Sequence, residues 1–585
     1  MEKPLEEYSK EELVEMVTSL KRRKKFGLVW EDKPEKVAID CDKKLPVLKE
    51  MPEKALCVGS DDDPTHILIE GDNYHALSTL NYTHKGKIDV IYIDPPYNTG
   101  NKDFIYNDRF VDKDDLFKHS KWLSFMSRRL KIAKSLLKPT GLIFISIDNN
   151  EKAYLKILCD EIFNEKNFLN EFVWVNNLAG RQISNHGAAG TYESVLCYAR
   201  NIDCSSLFTN SLEFLKTLMP NTYKGFNFNI KKDQEGYYIT THELYNGNSA
   251  FNEETRPSLV FNIYYRASDG DIQFEKPIDQ DYILISPHKN NDGVHLYHAY
   301  RWSKKKIIEK KNDLEFIKDG DSFKIYTKRR DFNLITLKDI ITDIVTVMGR
   351  NDLNKIRPIK KLNYPKPVKL IQVLLKSLPQ HDFITLDFFA GSGTTAQAVL
   401  ELNKEDGGKR QCILCTNNEN NIAEDVTYPR VKTVITGIRP DGSKYSDGIP
   451  ANFRYFKTDF VEKGKTTDAT RENLVTRATD ILRIKEGTFT EEIDTATFKA
   501  YSNHQKLTVI VFDPFKMTDI WKEVESLCIK KHNIKVCLYI FSYSPDVSAF
   551  TDDIPKTTSI HWESKPIPDG ILATYKQIFK EKETK

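Results

Sequence analysis

An acid, two prolines and an aromatic residue follow a continuous apolar run in the segment KIDVIYIDPPYNTGN. The run is rich in β-branched residues, which predicts a strand buried on both faces in a parallel sheet. Asp94 stands where this strand ends, and Pro95 and Pro96 lack backbone N–H groups and have a fixed φ, which leaves the Pro95 carbonyl as a rigid acceptor. With the flat ring of Tyr97 beside them, these acceptors predict a receptor for an amino group on a planar heterocycle. The alternative is a structural Pro-Pro turn.

A glycine pair in LDFFAGSGTT is the second candidate site. Gly391 and Gly393 lie between an apolar strand and a helix that we expect to begin near Thr394. Such a turn lets the backbone approach a ligand closely and points helix N-terminal N–H groups at it. The loop is shorter than GxGxxG and has no Lys-Ser/Thr pair, so it fits neither a dinucleotide pyrophosphate nor a Walker-type phosphate. The next strand is expected to end near Glu419, whose carboxylate is placed to bind a ribose diol or is simply a solvated loop acid.

Composition predicts an ordinary globular protein of several domains. The chain has 585 residues, 40% of them hydrophobic and 29% charged, which is too long for a single core. No run has the length of a membrane span and the acidic start does not resemble a secretory signal, so we expect a cytoplasmic protein. A net charge of +2 permits nucleic-acid binding through a local basic groove without demanding it.

The nine cysteines are scattered, which argues against a disulfide scaffold. Cys412 and Cys415 have CxxC spacing but lie on a predicted strand, where residues three apart point to opposite faces. This placement favours buried structural thiols over a shared metal.

The order of predicted elements divides the chain into five segments. Residues 1–60 form an N-terminal helical and extended segment, and residues 61–175 alternate strand and helix as the first half of an α/β core. Short strands, polar loops and aromatic residues predict an inserted β-rich domain over 176–355. The strand–helix rhythm resumes over 356–455, so the two halves should complete one doubly wound sheet with its crevice at the carboxyl ends of the strands. Residues 456–585 are predicted to form a small C-terminal α/β domain.

DPPY and FFAGSGTT together resemble the motifs of amino-methyltransferases that act on exocyclic nitrogens of DNA bases with S-adenosylmethionine. DPPY precedes the glycine motif and an insert separates them, which is the order of the β class. The flanking sequences HSKWLSFMSRRLKIAKSLLKPTGLIFISIDNNE and AQAVLELNKEDGGKRQCILCTNNENN resemble the modification subunits of type III restriction–modification systems. The resemblance covers residues 26–175 and 356–455 and implies a Rossmann-like methyltransferase core with a target-recognition domain as its insert.

The resemblance also implies catalytic roles. Asp94 and the Pro95 carbonyl would accept hydrogen bonds from adenine N6, with Pro96 completing the rigid turn. Tyr97 would stack on a base that is flipped out of the duplex. Because the sulfonium donor is already activated, no metal is expected.

The cofactor pocket implied by the resemblance contains residues from several segments. Glu419 would bind the cofactor ribose, Lys366 in PKPVKL would reach the cofactor, and Asp72 matches an acid that precedes DPPY. The full set expected to hold S-adenosylmethionine is Phe389, Gly391, Ser392, Gly393, Thr394, Thr395, Glu419, Lys366 and Asp72.

The implied function is methylation of adenine N6 at a specific site in double-stranded DNA, as part of a restriction–modification system. A second copy of the chain and a restriction subunit are the expected protein partners. Basic residues beside aromatic residues in the insert are candidates for DNA contacts, although a solvated basic edge explains them equally well. These residues are Lys304, Lys305, Lys306, Lys328, Arg329 and Arg330.

Two other functions stay open. One is methylation of cytosine N4 or of an RNA base, although Asp rather than Ser before PPY favours adenine in this family. The other is a non-catalytic DNA-binding specificity subunit that has kept the fold. The intact DPPY and glycine motifs argue against such decay.

Overall fold

The structure is a computed structural model that describes residues 9–10, 29–101, 103–177, 188–357, 364–531, 534–552, 554 and 560–580. Most of the helical pattern predicted near the N-terminus lies outside these residues. The chain divides into two compact units, one formed by Met1–Phe208 with Leu337–Lys585 and the other by Thr209–Thr336. Each unit is described by itself below.

The strands of the described residues are numbered in chain order. They are β1 (Lys44–Glu50), β2 (Leu56–Cys57), β3 (Thr65–Glu70), β4 (Ile88–Ile93), β5 (Ile105–Tyr106), β6 (Arg109–Phe110), β7 (Leu137–Ile147), β8 (Phe168–Val175), β9 (Tyr192–Ala199), β10 (Thr209–Ser211), β11 (Ile230–Asp233), β12 (Gly236–Glu243), β13 (Ile263–Arg266), β14 (Asp271–Gln273), β15 (Ile283–Ile285), β16 (Leu314–Asp319), β17 (Ser322–Arg329), β18 (Leu334–Thr336), β19 (Ile340–Ile341), β20 (Ile384–Asp387), β21 (Gln411–Thr416), β22 (Asn452–Glu462), β23 (Thr490–Asp494), β24 (Phe498–Ser502), β25 (Lys506–Val511), β26 (Lys535–Phe541) and β27 (Trp562–Ile567).

The α-helices are numbered in the same way. They are α1 (Lys36–Lys43), α2 (Asn73–Thr83), α3 (Lys118–Leu136), α4 (Lys152–Cys159), α5 (Leu212–Leu218), α6 (Pro220–Tyr223), α7 (Lys304–Glu309), α8 (Thr346–Ile356), α9 (Val368–Lys376), α10 (Thr394–Asp406), α11 (Tyr428–Thr436), α12 (Thr467–Val475), α13 (Thr479–Glu486), α14 (Met517–Lys531), α15 (Ser548–Thr551) and α16 (Asp569–Lys580). None of the helices in the described ranges is long and apolar enough to cross a bilayer.

A mixed sheet, 11-stranded within the described residues, forms the core of the larger unit. Its order is β1-β22-β3-β21-β20-β4-β7-β9-β8-β19, and β2 pairs with β22. The central pairs from β22 to β7 are parallel, whereas β1, β9 and β8 add antiparallel pairs at the two sides. Since β20 and β21 come from the second half of the chain and lie between β3 and β4 of the first half, the prediction that both halves complete one sheet is confirmed.

The parallel order brings the predicted motifs to one edge. Strands β3, β21, β20 and β4 are neighbours, so their carboxyl ends meet at the same side of the sheet. The apolar run of β4 is almost entirely buried, as its composition predicts, because helices cover both faces of a parallel sheet. The residues that follow these four strands therefore share one crevice.

The borders of the predicted insert differ from those of the structure. Strands β9 and β19 fall within residues 176–355 but extend the core sheet, through antiparallel pairing of β9 with β7 and parallel pairing of β19 with β8. The compact β-rich unit is shorter and covers Thr209–Thr336. Its sheets are β11-β12-β17-β16, β14-β13-β15 and β10-β18. Short strands flanked by polar loops look alike in sequence, so the pattern did not indicate which sheet each one joins.

The C-terminal segment has its own sheet, in the order β23-β24-β25-β26-β27. The predicted border at residue 455 cuts β22, which belongs to the core sheet. The C-terminal helices also share a hydrophobic core with β1, where Leu45 and Val47 pack with Ile481. Glu50 at the end of β1 adds an ion pair with Arg483 at 2.6 Å.

Both cysteines of β21 are buried, and burial raises the pKa of the Cys412 and Cys415 thiols well above the ordinary value. The prediction of buried thiols is confirmed. Among the described residues, no group of three or more His, Cys, Asp or Glu side chains is placed to hold a metal ion.

Candidate active site

The DPPY segment forms a rigid turn at the carboxyl end of β4. The fully buried Trp122 on α3 donates a hydrogen bond from Nε1 to the Pro96 carbonyl at 2.7 Å. Asn98, two residues further along, has a φ of 57° and donates from Nδ2 to the buried Glu151 carboxylate at 2.6 Å. No hydrogen bond from the described residues reaches the Pro95 carbonyl. The turn is thus held from behind while this acceptor stays available, as predicted.

A lysine ammonium meets three oxygen-bearing groups beside this turn. Lys366 Nζ lies 3.0 Å from Asp94 Oδ1, 2.8 Å from the Tyr97 hydroxyl and 3.2 Å from Glu193 Oε2. The Tyr97 hydroxyl lies 2.9 Å from Asp94 Oδ1 and 2.8 Å from Glu193 Oε2, so its single proton can be donated to only one of the two carboxylates at a time. No hydrogen bond from the described part of the chain reaches Asp94 Oδ2. That oxygen is therefore the one available to a ligand.

Burial and charge set the protonation of this cluster. Burial raises the pKa of Asp94, although the Lys366 ammonium acts in the opposite direction. Burial also acts to raise the pKa of Glu193, but Lys366 and the Tyr97 hydroxyl outweigh it and lower that pKa. Burial alone would lower the pKa of Lys366, but Asp94 and Glu193 outweigh it and raise that pKa. Burial and the same two carboxylates raise the pKa of Tyr97. The ammonium is therefore charged and the phenol neutral at physiological pH.

The glycine loop joins β20 to α10, which begins at Thr394 as predicted. Gly391 has a φ of 49° and Gly393 a φ of 77°, both in the left-handed region that favours glycine. A Cβ on Gly393 would lie 3.2 Å from Thr427 Cγ2, whereas a Cβ on Gly391 would meet only the Phe389 carbonyl oxygen, at 3.8 Å. Gly391 therefore leaves open space in front of the loop.

A buried arginine supports the glycine loop from behind. Arg430 Nη1 on α11 donates to Ser392 Oγ at 2.9 Å and to Thr394 Oγ1 at 2.8 Å. The Thr427 hydroxyl donates to the Gly391 carbonyl at 2.6 Å. These bonds hold the loop in one conformation, so its backbone is organised before any ligand binds.

The two motifs line a single cavity of about 500 Å³. This volume is in the range of small-ligand pockets. The predicted site residues in its wall are Asp72, Asp94, Pro95, Pro96, Lys366, Phe389, Gly391, Ser392, Thr394, Thr395 and Glu419. Within the described residues, the two remaining predictions, Tyr97 and Gly393, are not part of this wall. Tyr97 is linked to the wall by the hydrogen bond between its hydroxyl and Asp94, and Gly393 packs against Thr427.

Two further carboxylates lie at the β3 and β21 side of the cavity. Asp72 caps α2 by accepting a hydrogen bond from the Tyr74 backbone N–H at 2.7 Å, and the buried Arg129 lies 3.2 Å from its Oδ1. Glu419 follows β21, and burial raises its pKa, with a further contribution from the charge of Asp72. The acid predicted at the end of the second strand therefore does face the cavity.

The ammonium of Lys366 makes contacts that the sequence did not indicate. Its hydrogen bond to Tyr97 and its ion pair with Asp94 place its charge beside the DPPY turn. Lys366 also lines the cavity, and its expected contact with the cofactor stays a prediction.

Within the Thr209–Thr336 unit, part of the predicted basic set is already paired. Lys328 Nζ lies 2.7 Å and Arg330 Nη1 2.8 Å from Asp233, and Arg329 Nε lies 3.2 Å from Asp331. These acids offset the positive charge of the KRR run. The run is therefore a weaker candidate for phosphate contacts than its sequence indicates.

The second basic set, at the start of α7, is more accessible. The side chain of Lys305 is 85% exposed, and its ion pair with Glu309 is long, at 3.7 Å. Lys304 lies over the Phe261 ring and Lys306 over the Trp302 ring. This is the arrangement of basic and aromatic groups that the sequence led us to expect of a DNA-contacting surface.

The side chains of the site that the sequence did not indicate include Glu193, Asp387 and Arg430. Asp387 did have a sequence signal, because it ends an apolar strand shortly before the glycine loop, much as Asp94 directly follows β4. Glu193 lies at the beginning of a strand, and it reaches the catalytic edge only because β9 runs antiparallel to β7. Sequence alone does not show that orientation. Arg430 had no distinctive signal.

A parallel sheet whose carboxyl edge carries DPPY and a glycine loop over one cavity defines a Rossmann-like methyltransferase fold. The chain belongs to the DNA methylase family, whose model matches residues 88–426. This match spans both motifs and the insert between them, and it confirms the family resemblance drawn from the sequence.

Two curated relatives agree with this assignment. The type III restriction-modification enzyme EcoPI Mod subunit of Escherichia phage P1 is 32% identical over 416 residues, which cover 64% of this chain and 62% of that protein. The type II methyltransferase M.KpnI of Klebsiella pneumoniae is 31% identical over 407 residues, which cover 68% of this chain and 92% of that protein. A crystal structure of a putative DNA modification methylase from Thermus thermophilus, complexed with S-adenosyl-L-methionine, is 13% identical with a TM-score of 0.28 and covers 63% of this chain and 95% of that chain. The chain spans less than two thirds of the length of the EcoPI Mod subunit.

Proposed function

We propose that this chain transfers a methyl group from S-adenosylmethionine to N6 of an adenine in a specific site of double-stranded DNA. The observation that carries the proposal is the shared cavity of the two motifs. The Asp94 carboxylate and the Pro95 carbonyl form one part of its wall, and the open face of Gly391 forms another. An amine receptor and a close-approach backbone loop within one small cavity are what such a transfer needs.

The cavity wall fits the chemistry of S-adenosylmethionine. The Asp72 and Glu419 carboxylates are acceptors for hydroxyl and ammonium groups, and Phe389 offers an aromatic ring. The space in front of Gly391, which a Cβ would begin to fill, lets a ligand approach the loop backbone. When bound, the cofactor supplies the methyl group as an activated sulfonium, so the protein needs only to orient the amine.

The amine of adenine is a poor nucleophile because its lone pair is delocalised into the ring. Asp94 Oδ2 and the Pro95 carbonyl each accept one N6 hydrogen, which orients the amine and favours the pyramidal geometry that localises the lone pair. Positive charge that develops on N6 is stabilised by the Asp94 carboxylate. Lys366 and Tyr97 hold Oδ1 and thereby keep the carboxylate from turning away.

The test is methyl transfer from labelled S-adenosylmethionine to DNA by an Asp94→Ala variant. Removing the acceptor that stabilises developing charge is expected to lower the rate by at least about 10²- to 10³-fold. Cofactor binding, measured by calorimetry, should largely survive. Asp148→Ala is a matched control, since Asp148 also follows a core strand, β7, and it should stay active. Full activity of Asp94→Ala, or label in N4-methylcytosine instead of N6-methyladenine, would contradict the proposal.

We further propose that the Thr209–Thr336 unit reads the target sequence and that Lys304, Lys305 and Lys306 contact phosphates. Replacing all three with Ala should lower DNA affinity and reduce the salt dependence by about 0.9 in the slope of log K against log salt for each lost phosphate contact. Lys328→Ala is the matched control, because this lysine is paired with Asp233. An unchanged slope in the triple variant would refute these contacts.

The names of the relatives motivate the proposed partners. We propose that the chain works in a restriction–modification system in the cytoplasm, where it forms a homodimer and binds a restriction subunit. Light scattering of the purified chain tests the dimer, and co-purification after co-expression tests the restriction subunit. Single-molecule sequencing of host DNA with and without the protein identifies the modified base and its site.

A further inference from the structure

Glu193 reaches the catalytic edge through the antiparallel course of β9. Ser194 pairs with Ile147 at the carboxyl end of β7, so the residue before it stands at the same edge as Asp94. Asn176 Nδ2 donates to Glu193 Oε1 at 2.8 Å and fixes the carboxylate, which presents Oε2 to Tyr97 and Lys366. The side chain is only 18% exposed.

We infer that Glu193 is a positioning residue for methyl transfer: it holds the Tyr97 hydroxyl and offsets the Lys366 charge, so that a net negative charge faces the substrate amine at Asp94. The inference deepens the proposed function and rests on it. Glu193 does not line the substrate cavity. Its effect therefore passes through Tyr97 and Lys366.

The first part of the inference concerns charge. Lys366 Nζ lies at nearly equal distances from Asp94 and Glu193, at 3.0 and 3.2 Å, so the two carboxylates share one ammonium. The three groups together carry one net negative charge. Without Glu193, the ammonium would pair with Asp94 alone, and the net charge facing the amine would be zero. Asp94 would then stabilise less of the positive charge that develops on N6.

The second part concerns the Tyr97 proton. While Asp94 is ionised, the Tyr97 hydroxyl can donate to Asp94 Oδ1 or to Glu193 Oε2, which lie 2.9 and 2.8 Å away. After methyl transfer, an N6–H bond breaks, its electron pair stays on nitrogen, and the proton forms an O–H bond with Asp94 Oδ2. Asp94 is then neutral and a weaker acceptor, and Glu193 remains as the charged acceptor for the hydroxyl. Tyr97 keeps its position throughout.

The experiment measures kcat and KM at saturating DNA for a set of charge variants. Glu193→Gln keeps the shape of the side chain but removes its charge, and we expect kcat to fall by about 10- to 100-fold with little change in the KM for cofactor. Lys366→Met should also lower kcat, since it leaves two carboxylates without their cation. The double variant restores the net charge of the wild type and should be more active than Glu193→Gln alone.

Two more variants separate positioning from simple structural support. Glu193→Asp restores the carboxylate and should recover part of the lost kcat. Asp160→Asn removes a carboxylate that likewise pairs with a lysine, Lys156 at 2.7 Å, and accepts a hydrogen bond from a tyrosine, Tyr198 at 2.7 Å, and it should leave kcat unchanged. If the double variant is no more active than Glu193→Gln, or if Glu193→Gln keeps the wild-type kcat, the inference is overturned.

A failure of the inference is distinguishable from a failure of the proposed function. If wild-type protein methylates no DNA, the proposed function fails before any variant is compared. If the wild type is active and Asp94→Ala is not, while the Glu193 variants behave like the wild type, only the inference fails. Circular dichroism and cofactor binding of Glu193→Gln and Glu193→Asp show whether each variant is folded.

Discussion

The Asp387 carboxyl group makes the stability of this protein depend on pH in an unusual direction. It lies at the end of β20 with only 3% of its surface exposed. Its Oδ1 accepts a hydrogen bond from the Phe389 backbone N–H at 3.0 Å and its Oδ2 accepts one from the Thr395 hydroxyl at 2.5 Å. Burial raises the pKa of Asp387 to about 7, and the two hydrogen bonds counter this only in part. Asp387→Asn removes the ionisation and keeps the shape.

The sign follows from proton binding. The pKa of Asp387 is higher in the folded protein than its ordinary value of 3.8, so the folded state binds more protons between these pH values. The stabilisation from this group is complete below pH 3.8 and is lost as the pH rises through 7. At 1.36 kcal/mol for each pH unit between the two values, ionisation of the buried group destabilises the fold by about 4 kcal/mol at pH 8.

Asparagine does not ionise, and it can keep both contacts, since its oxygen accepts from the Phe389 N–H and its amide donates to Thr395. The free energy of unfolding of Asp387→Asn should therefore rise relative to wild type as the pH increases. The measurement is urea unfolding of both proteins at several values from about pH 5 to pH 8, where subtraction removes the contribution of every other group. A difference that stays constant over this range, or that shrinks with pH, would refute the reasoning.

Three other perturbations test separate features. Gly393→Ala forces a φ of 77° and a 3.2 Å contact on an L-residue, so it should destabilise the loop by about 1–2 kcal/mol and weaken cofactor binding in calorimetry. Gly407→Ala is the control, because it has a φ of 70° but no described atom would lie within 4 Å of its Cβ, and it should leave cofactor binding unchanged. Equal effects of the two alanines on binding would rule out a specific role of the loop. Trp122→Phe removes the hydrogen bond to the DPPY turn and should lower stability by about 1 kcal/mol with a several-fold loss of kcat, and an unchanged kcat would show that the turn is rigid without it. Glu50→Ala removes the partner of Arg454 and one of the two carboxylates beside Arg483, whose ion pair with Asp480 at 2.9 Å remains, so it should lower stability by about 1.5–3 kcal/mol and speed proteolysis of the C-terminal sheet; unchanged digestion would count against a shared core.

The catalytic edge was predictable because it depends on local signals. Buried strands show as apolar runs, and the residues that follow them meet when the strands are parallel neighbours. Asp94, Gly391 and Glu419 could therefore be assigned to one crevice from the sequence. Glu193 could not, because its position depends on an antiparallel strand whose sheet membership has no local signal. One contact of Lys366 depends on the same strand, so its pairing with Glu193 had no signal in the sequence either.

Charge on the insert was equally hard to read from sequence. Lys328 and Arg330 look like a basic patch, yet Asp233, which lies far away along the chain, pairs with both. Pairing between distant strands depends on register, which composition does not encode. The exposed lysines at the start of α7 stayed candidates because the ion pair found there, between Lys305 and Glu309, is local along the helix.

The interleaved order of the core strands also governs when activity can begin during synthesis. Native β3 and β4 do not touch each other, since β21 and β20 lie between them, and roughly 290 residues separate β4 from β20. At about 5–20 residues per second, the ribosome needs about 15–60 s to make that stretch. Throughout this interval β4 lacks a native neighbour on one side, and the cavity shared by the two motifs cannot form. A chain interrupted before β20 therefore has the DPPY turn without the glycine loop.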